Sequence, residues 1–563
     1  MKNVLVLGAV LGFTLVSGCS NSRSGHTGPG GSHDLSGGGG PDGGIIGTDD
    51  GGVIPPAGDG GGMTHDPATC AEAATSKSYI GCDYWPTVTA NAVWSVFDYA
   101  VVVSNPGSVA VNVTVTGGAL SAQKTATIAP GELTYIGLPW VPALKGKDAS
   151  SLGQPTPMTA SVFAAKGAYH LVSDAPVLVY QFNALEYKAG TGNDLNGMPW
   201  SSCPALGFPC NSYSNDASLL LPSTAMTNNY VITGLAGDDF RGSAYNASYA
   251  VITATADATT VILQLSKTAD IIASSGDGKI AKVAMSASAP AKVTYILNAG
   301  DAIELLTSDG SAYDLTGSIV QATAPVQVIV GNPCTFAGDD GNGTSCDHVE
   351  ETVLPVQTWG KQYVVTGPTG PSGNKPGHVV RIYGGIADST LTLTPAVSGA
   401  PSIIKAGSVA KFTTATDFVV TGTNEFVVSS EQQTAETVDP QGDPTLSQGD
   451  PSLSFMVAVP QYRDKYLFLA PTDYPTNFVD VVAPDGTALV LDGAAVTTGV
   501  TFVGAGFSVI RIPLSTGTKN GAHTLTGTAP FGIQVVGYGT ATSYQYPGGL
   551  DLKVISNAPP PIN

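Results

Sequence analysis

Residues 352–367 read TVLPVQTWGKQYVVTG: an apolar run, a proline, a short polar link, a tyrosine and a β-branched run. The pattern returns as LLLPSTAMTNNYVITG (219–234) and VAVPQYRDKYLFLA (457–470). A looser version, CDYWPTVTANAVWSVFDYAVVVSN, stands at 82–105. Tyr99, Tyr230, Tyr363 and Tyr466 therefore mark four copies of one unit. A second signature closes each copy: YHLVSDAPVLVYQFN (169–183), GSIVQATAPVQVIVGN (317–332), FVVTGTNEFVVSSEQ (418–432) and HTLTGTAPFGIQVVGYG (523–539). Each predicts a strand, a tight turn of small or polar residues, and a second strand. Three of them put proline just after the turn, where a missing N–H does least damage.

Between the signatures lie alternating segments such as SVAVNVTVTG (108–117), TTVILQLS (259–266) and STLTLTP (389–395). Period-two alternation marks strands with one buried face. Asn105-Pro106-Gly107, Ala129-Pro130-Gly131 and Pro484-Asp485-Gly486 punctuate them as turns. Roughly six to eight short strands per unit is the density of a β-sandwich. Propeller blades, at about 40–50 residues, are too short to match. The expected fold is all-β: tandem, internally repeated β-sandwich-like modules after a disordered Gly-rich tether. The boundaries fall at 1–18 (lipoprotein signal peptide), 19–66 (tether), 67–228, 229–361, 362–464 and 465–552 (modules), and 553–563 (tail).

Charged residues make up 12 % of the 563, and the formal net charge is −20 with no basic block, which repels a phosphate backbone and excludes nucleic acid as a partner. The N-terminus MKNVLVLGAVLGFTLVSGCS carries one lysine, an apolar run too short to span a membrane, and small residues before Cys19. It reads as a cleaved export signal. Its Val16-Ser17-Gly18-Cys19 ending resembles a bacterial lipobox, which implies lipidation of Cys19. Ser20 in the next position implies sorting to the outer membrane of the cell envelope, with the chain surface-exposed on its lipid. Residues 20–66 are Gly, Ser, Asp and Pro with nothing to pack.

Six further cysteines fall in close pairs, Cys70/Cys82, Cys203/Cys210 and Cys334/Cys346. An even count outside the cytosol argues for disulfides, although sequence alone permits fifteen pairings. The nearest-neighbour set is the expectation, and no spacing suits structural zinc.

Chemistry is sought first in CTFAGDDGNGTSCDHVEETVLP (334–355). Asp339, Asp340, Asn342 and Asp347 offer calcium oxygens, but EF-hand spacing is absent and Asp-Gly and Asn-Gly also form plain turns. His348, Glu350 and Glu351 offer acid–base groups, without a second partner nearby in sequence. The copies share only an acid before the apolar run: Asp216, Asp347 and Asp450. A repeated carboxylate of this kind caps backbone N–H groups. No zinc-protease, nucleophile-elbow or phosphate-loop motif occurs, and Ser121–Lys124 matches S-x-x-K without its companions. The insert GTGNDLNGMPWSSCPALGFPCNSYSND (190–216) lies outside the repeat. A disulfide-closed loop on a repetitive scaffold is where binding is expected, through Trp200 and Tyr213.

CAEAATSKSYIGCDYWPT (70–87), AYHLVSDAPVLVYQFN (168–183), NDASLLLP (215–222) and CDHVEETVLPVQTWGKQYVV (346–365) resemble the N-terminal domain of the IgG-Fc-binding protein family, found in animal mucin-associated proteins and in bacterial secreted proteins and lipoproteins. The likeness is strongest over roughly residues 79–370. It implies a non-catalytic extracellular role and transfers no ligand. The expectation is a lipid-anchored cell-surface binding or adhesion protein whose partner is an extracellular protein or glycan. It needs no cofactor, with calcium left open. The alternatives are a calcium-dependent enzyme acting on extracellular polymer and a structural envelope component.

Overall fold

The alternating segments are strands. Val111–Gly117, Thr259–Gln264 and Ser389–Thr394 each pair within an antiparallel sheet. The computed structural model describes residues 66–557 apart from 151–155, 205–208, 241–243, 287, 289, 309, 338–345, 443–446 and 515–520, with the backbone alone at 238–240 and 244–246. The signal peptide, Cys19, the tether, and Asp339, Asp340 and Asn342 lie outside the described residues. Among those described, no helix is long and apolar enough to cross a membrane.

Four large sheets share one topology, beside a two-stranded ribbon (Asp238–Phe240 with Ala244–Asn246). At the centre of each runs one long strand: Tyr169–Asn183, Ile319–Thr335, Phe418–Gln432 and Ala522–Gly539. Its first half pairs with a tyrosine-bearing strand (Gly81–Tyr84, Thr227–Val231, Gly360–Val365, Arg463–Leu469) and with a hairpin strand. Its second half pairs with a partner strand (Tyr99–Ser104, Tyr249–Ala254, His378–Gly384, Thr476–Pro484) and with a short strand here called axial (Ala217–Leu219, Asp347–Thr352, Leu453–Phe455, Thr542–Pro547). The long strand thus belongs to two layers, which makes each unit sandwich-like. A chain that switches sheets through a bulge is a known way to turn such a corner.

This corrects the expected strand–turn–strand. Ser173-Asp174-Ala175-Pro176 and its counterparts do not reverse the chain; they bend a single strand. The register shows how. Gly81 faces Val177 and Tyr84 faces Leu171. Thr227 faces Val326 and Tyr230 faces Val320. Gly360 faces Phe426 and Tyr363 faces Val420. Arg463 faces Phe531 and Tyr466 faces Leu525. In every copy three steps on the tyrosine strand span six on the long one, so the surplus residues loop out at the bend.

The tyrosine fills that defect. The Tyr84 hydroxyl accepts from Gly81 N (2.9 Å) and donates to Val177 O (2.6 Å). Tyr230 does the same with Thr227 N (3.1 Å) and Val326 O (2.8 Å). Tyr363 uses Gly360 N (3.0 Å) and Phe426 O (2.7 Å), and Tyr466 uses Arg463 N (3.1 Å) and Phe531 O (2.5 Å). One hydroxyl satisfies two buried backbone groups that the broken ladder leaves open. In the first copy this residue is Tyr84, not Tyr99; Tyr99 opens the partner strand. In the third and fourth copies a glycine makes room for the aromatic ring after the bend. A Cβ on Gly422 or Gly527 would lie 2.7 Å from the ring of Phe426 or Phe531.

The four units close into a ring. Gln327 Nε2 donates to Trp85 O (2.9 Å) between the first and second, where Val162–Ala164 also joins the second sheet. Tyr383 Oη donates to Gly234 O (2.9 Å) between the second and third. Tyr538 Oη donates to Thr369 O (2.7 Å) between the third and fourth. Tyr180 Oη has Leu467 O (3.1 Å) and Gly548 O (3.0 Å) within reach of its single O–H between the fourth and first. At that last joint Arg463 pairs with Asp66 (2.5 Å) and Asp551 (2.7 Å), binding the two ends of the described chain to one guanidinium.

Candidate functional site

The four axial strands meet at the middle of the ring, and Asp216 is its hub. Its Oδ1 accepts from Ala217 N (2.9 Å) and Gln545 N (3.2 Å), and its Oδ2 from Glu350 N (3.1 Å) and Leu453 N (3.1 Å). These four N–H groups come from the four axial strands, one from each sheet. The carboxylate is fully buried. Burial pushes its pKa above the usual carboxylate range, against the pull of the four donors.

The other conspicuous acids surround this hub. Asp347 accepts from Asn215 N (2.9 Å), Thr542 Oγ1 (2.8 Å) and Ser543 N (3.3 Å). Burial, followed by the nearby Asp450 carboxylate, raises its pKa. The Asp450 carbonyl accepts from Gln432 Nε2 (2.8 Å) and Ser543 Oγ (2.6 Å). Glu350 accepts from Thr89 Oγ1 (2.8 Å), Gln181 Nε2 (3.0 Å), Asn183 Nδ2 (3.2 Å) and Ser218 Oγ (3.3 Å). His348 lies 3.8 Å from Glu350 and stacks against Tyr249. His348, Glu350 and Glu351 are 0, 0 and 1 % exposed. Among the described residues no group of three or more His, Cys, Asp or Glu is placed to hold a metal ion.

The insert lies elsewhere. Its root, Asn215, touches Asp347, but its outer part packs on a separate aromatic cluster of Val93, Trp94, Val96 and Phe97. Cys203 and Cys210 are bonded at a Cα separation of 6.2 Å. Cys70 with Cys82 (5.7 Å) and Cys334 with Cys346 (5.1 Å) form the other two bonds. The Trp200 ring meets Phe97 edge-on at 5.3 Å and is partly exposed. Tyr213 adopts a left-handed φ of 52° and donates to Pro209 O (3.0 Å). Leu195 and Met198 at the tip are 46 % and 40 % exposed.

A second carboxylate group, which sequence reading did not single out, anchors this tip. Asp98 accepts from Leu195 N (2.6 Å) and from Asn196 Nδ2, and its own N–H donates to Glu186 (2.9 Å). Burial, then the neighbouring Asp194, pushes Asp98 up to about 6. Asp480, buried where the third and fourth units meet and accepting from Thr369, is also pushed up to about 6 by burial. His378 is lowered to about 4 by burial.

These shifts set a pH dependence. A carboxyl whose folded pKa exceeds its unfolded value of about 4 keeps its proton between those values while the unfolded chain releases it. Folding is then favoured most below pH 4 and loses that contribution as pH rises to 6. Asp216, Glu304, Asp347 and Glu351, all raised by burial, act with the same sign. His378 has the opposite sign, losing stability as pH falls from about 6.5 to 4. The carboxyls outnumber it. The melting midpoint is expected to be higher at pH 5 than at pH 8, and Asp98→Asn should flatten the profile; calorimetry across that range checks both.

Fold and site together define a class: an all-β ring of four copies of one unit, stapled by disulfides in its first half, with its polar motif residues built into the hub. The family model described as IgGFc binding protein matches residues 216–537, more than half of the chain, and the chain belongs to that family. The matched region opens on the hub aspartate. The chain is also similar to the human IgGFc-binding protein, 44 % identical over 55 residues, which cover 10 % of this chain and 1 % of the human protein's length.

Proposed function

We propose that this chain is a lipid-anchored protein of the cell envelope, held in the outer membrane through acylated Cys19 and facing outward. In this reading it binds an extracellular protein or glycan without catalysis. The observation that carries the non-catalytic part is the burial of His348, Glu350 and Glu351. Catalytic acids and bases must reach a substrate; all three are buried, and Glu350 is taken up by Thr89, Gln181, Asn183 and Ser218. The family name and the human relative's name supply the kind of partner, and immunoglobulin Fc is the first to try. The insert supplies the surface: Trp200 and Tyr213 flank a disulfide loop, with Leu195 and Met198 exposed ahead of it, and such aromatic anchors carry binding energy in small contact areas.

Surface plasmon resonance with purified Fc, mucin-type glycoproteins and matrix glycans tests this. Saturable binding to one of them is expected, weakened about tenfold or more by Trp200→Ala or by Tyr213→Ala, a loss of roughly 1.4 kcal/mol or more. The melting midpoint should move little, since both side chains are partly exposed. Hydrolysis of an extracellular polymer, abolished by Glu350→Gln in a protein that still folds, would overturn the reading.

A further inference from the structure

We propose that Lys267, Lys279, Lys282 and Lys292, on the outer connection between the strands Thr259–Gln264 and Lys292–Leu297 of the second sheet, form a binding site for an anionic polysaccharide, separate from the insert. Lys267, Lys279, Lys282 and Lys292 are all exposed along it. The chain leaves the strand Thr259–Gln264, crosses to the other edge of the sheet, and returns into Lys292–Leu297. Leu265 N donates to Ala291 O (2.9 Å), Ile272 N to Leu306 O (3.0 Å), and Ile271 pairs with Val283. The four lysines therefore sit on one folded-back connection. Lys279 lies 4.0 Å over the ring of Phe163.

The charge is only partly offset locally, by Asp277 beside Lys279. Within the connection itself, residues 265–292, the carboxylates are Asp270 and Asp277. Asp270 is 3 % exposed and accepts from Ser308 N (2.9 Å), which leaves Asp277 as the exposed one. The lysine ion pairs among the described residues are made by Lys145, Lys361, Lys375, Lys405, Lys465 and Lys553, none of them in this segment. A net positive stretch thus stands on a chain whose formal charge is −20.

Charge complementarity selects a polyanion, and the residue types select which one. Arginine, whose planar fork suits phosphate, is absent from residues 242–380. Separated lysine point charges suit the spaced carboxylates or sulfates of a polymer. Ser275 stands exposed between them as a hydroxyl partner for sugar. Isolated exposed apolar residues, Met285 and Ile296, do not form the continuous face that a lipid surface requires.

The test is titration calorimetry of the full chain with polygalacturonate and with heparin at 50 mM and 300 mM salt, using dextran as the neutral control. Expected is saturable binding to at least one polyanion at low salt, weakened at high salt, with none to dextran. Combining Lys267→Glu, Lys282→Glu and Lys292→Glu should cost about tenfold or more and shrink the salt dependence. Lys411→Glu, also exposed but outside this segment, should not. All these side chains are exposed, so the melting curve should be unchanged. No low-salt binding, or equal binding by the triple variant, would overturn the proposal. So would tighter binding to duplex DNA or to anionic phospholipid vesicles than to either polysaccharide. Because Trp200 and Tyr213 play no part here, their variants should bind the polyanion normally, which separates failure of this site from failure of the insert.

Discussion

Replacing Asp216 with alanine is expected to leave the chain unable to hold its four sheets together. The substitution strips the acceptor from Ala217, Glu350, Leu453 and Gln545 at once. Each buried N–H left without a partner costs about 1–3 kcal/mol. Four of them approach the whole stability of a typical domain, about 5–15 kcal/mol. Little folded protein should accumulate. Asp216→Asn keeps one acceptor oxygen but turns an amide NH₂ toward N–H donors, so it should fold with a melting midpoint lower by about 10 °C or more. Thermal melts of both variants, followed by circular dichroism, read this directly. A near-native midpoint for the asparagine variant would mean that the hub is not carried by the carboxylate.

The second large effect is expected at the repeated tyrosines. Tyr363→Ala or Tyr466→Ala empties a fully buried ring site packed against Phe426 or Phe531 and opens two backbone groups. Truncation of a buried aromatic residue costs about 3–5 kcal/mol. Phenylalanine keeps the ring and removes the hydroxyl, at a cost of about 1–3 kcal/mol. The informative comparison is across copies. Tyr84→Phe, Tyr230→Phe, Tyr363→Phe and Tyr466→Phe should destabilise by similar amounts, because the two partner groups are equivalent in all four. Tyr99→Phe lies outside the bend and loses a different bond, to Gln181. Denaturant midpoints of the five variants test whether the unit was copied with its chemistry intact.

Much of this fold can be read before any coordinates. Alternation in 111–117, 259–264 and 389–394 gives strands because one face of each is buried and the other is not. The repeat is visible because a tyrosine, a proline and an apolar run recur at related spacing. The bend is not visible. Residues such as Ser173-Asp174-Ala175-Pro176 favour a reversal and a bulge alike, and the difference lies in which distant strand pairs with them. The same limit hides Tyr84. Its strand is four residues long, and the buried link from Trp85 to Asp98 leaves the more conspicuous Tyr99 at the head of the longer β-branched run.

The hub is legible only in part. Three acids precede three apolar runs, and sequence cannot tell that Asp216 alone gathers a donor from every sheet while Asp347 holds Asn215, Thr542 and Ser543. The Asp98 group at the insert gives no local signal, since Glu186 and Asp194 lie far from it along the chain. The insert itself is legible as a disulfide-closed departure from the repeat.

Hydrogen exchange at the four amides on Asp216 tests the central claim most directly. The axial strands hold one carboxylate, so the amides of Ala217, Glu350, Leu453 and Gln545 should be among the slowest to exchange. In Asp216→Asn all four should accelerate together. Acceleration confined to Ala217, with the other three still protected, would show that the sheets hold the centre of the ring without it.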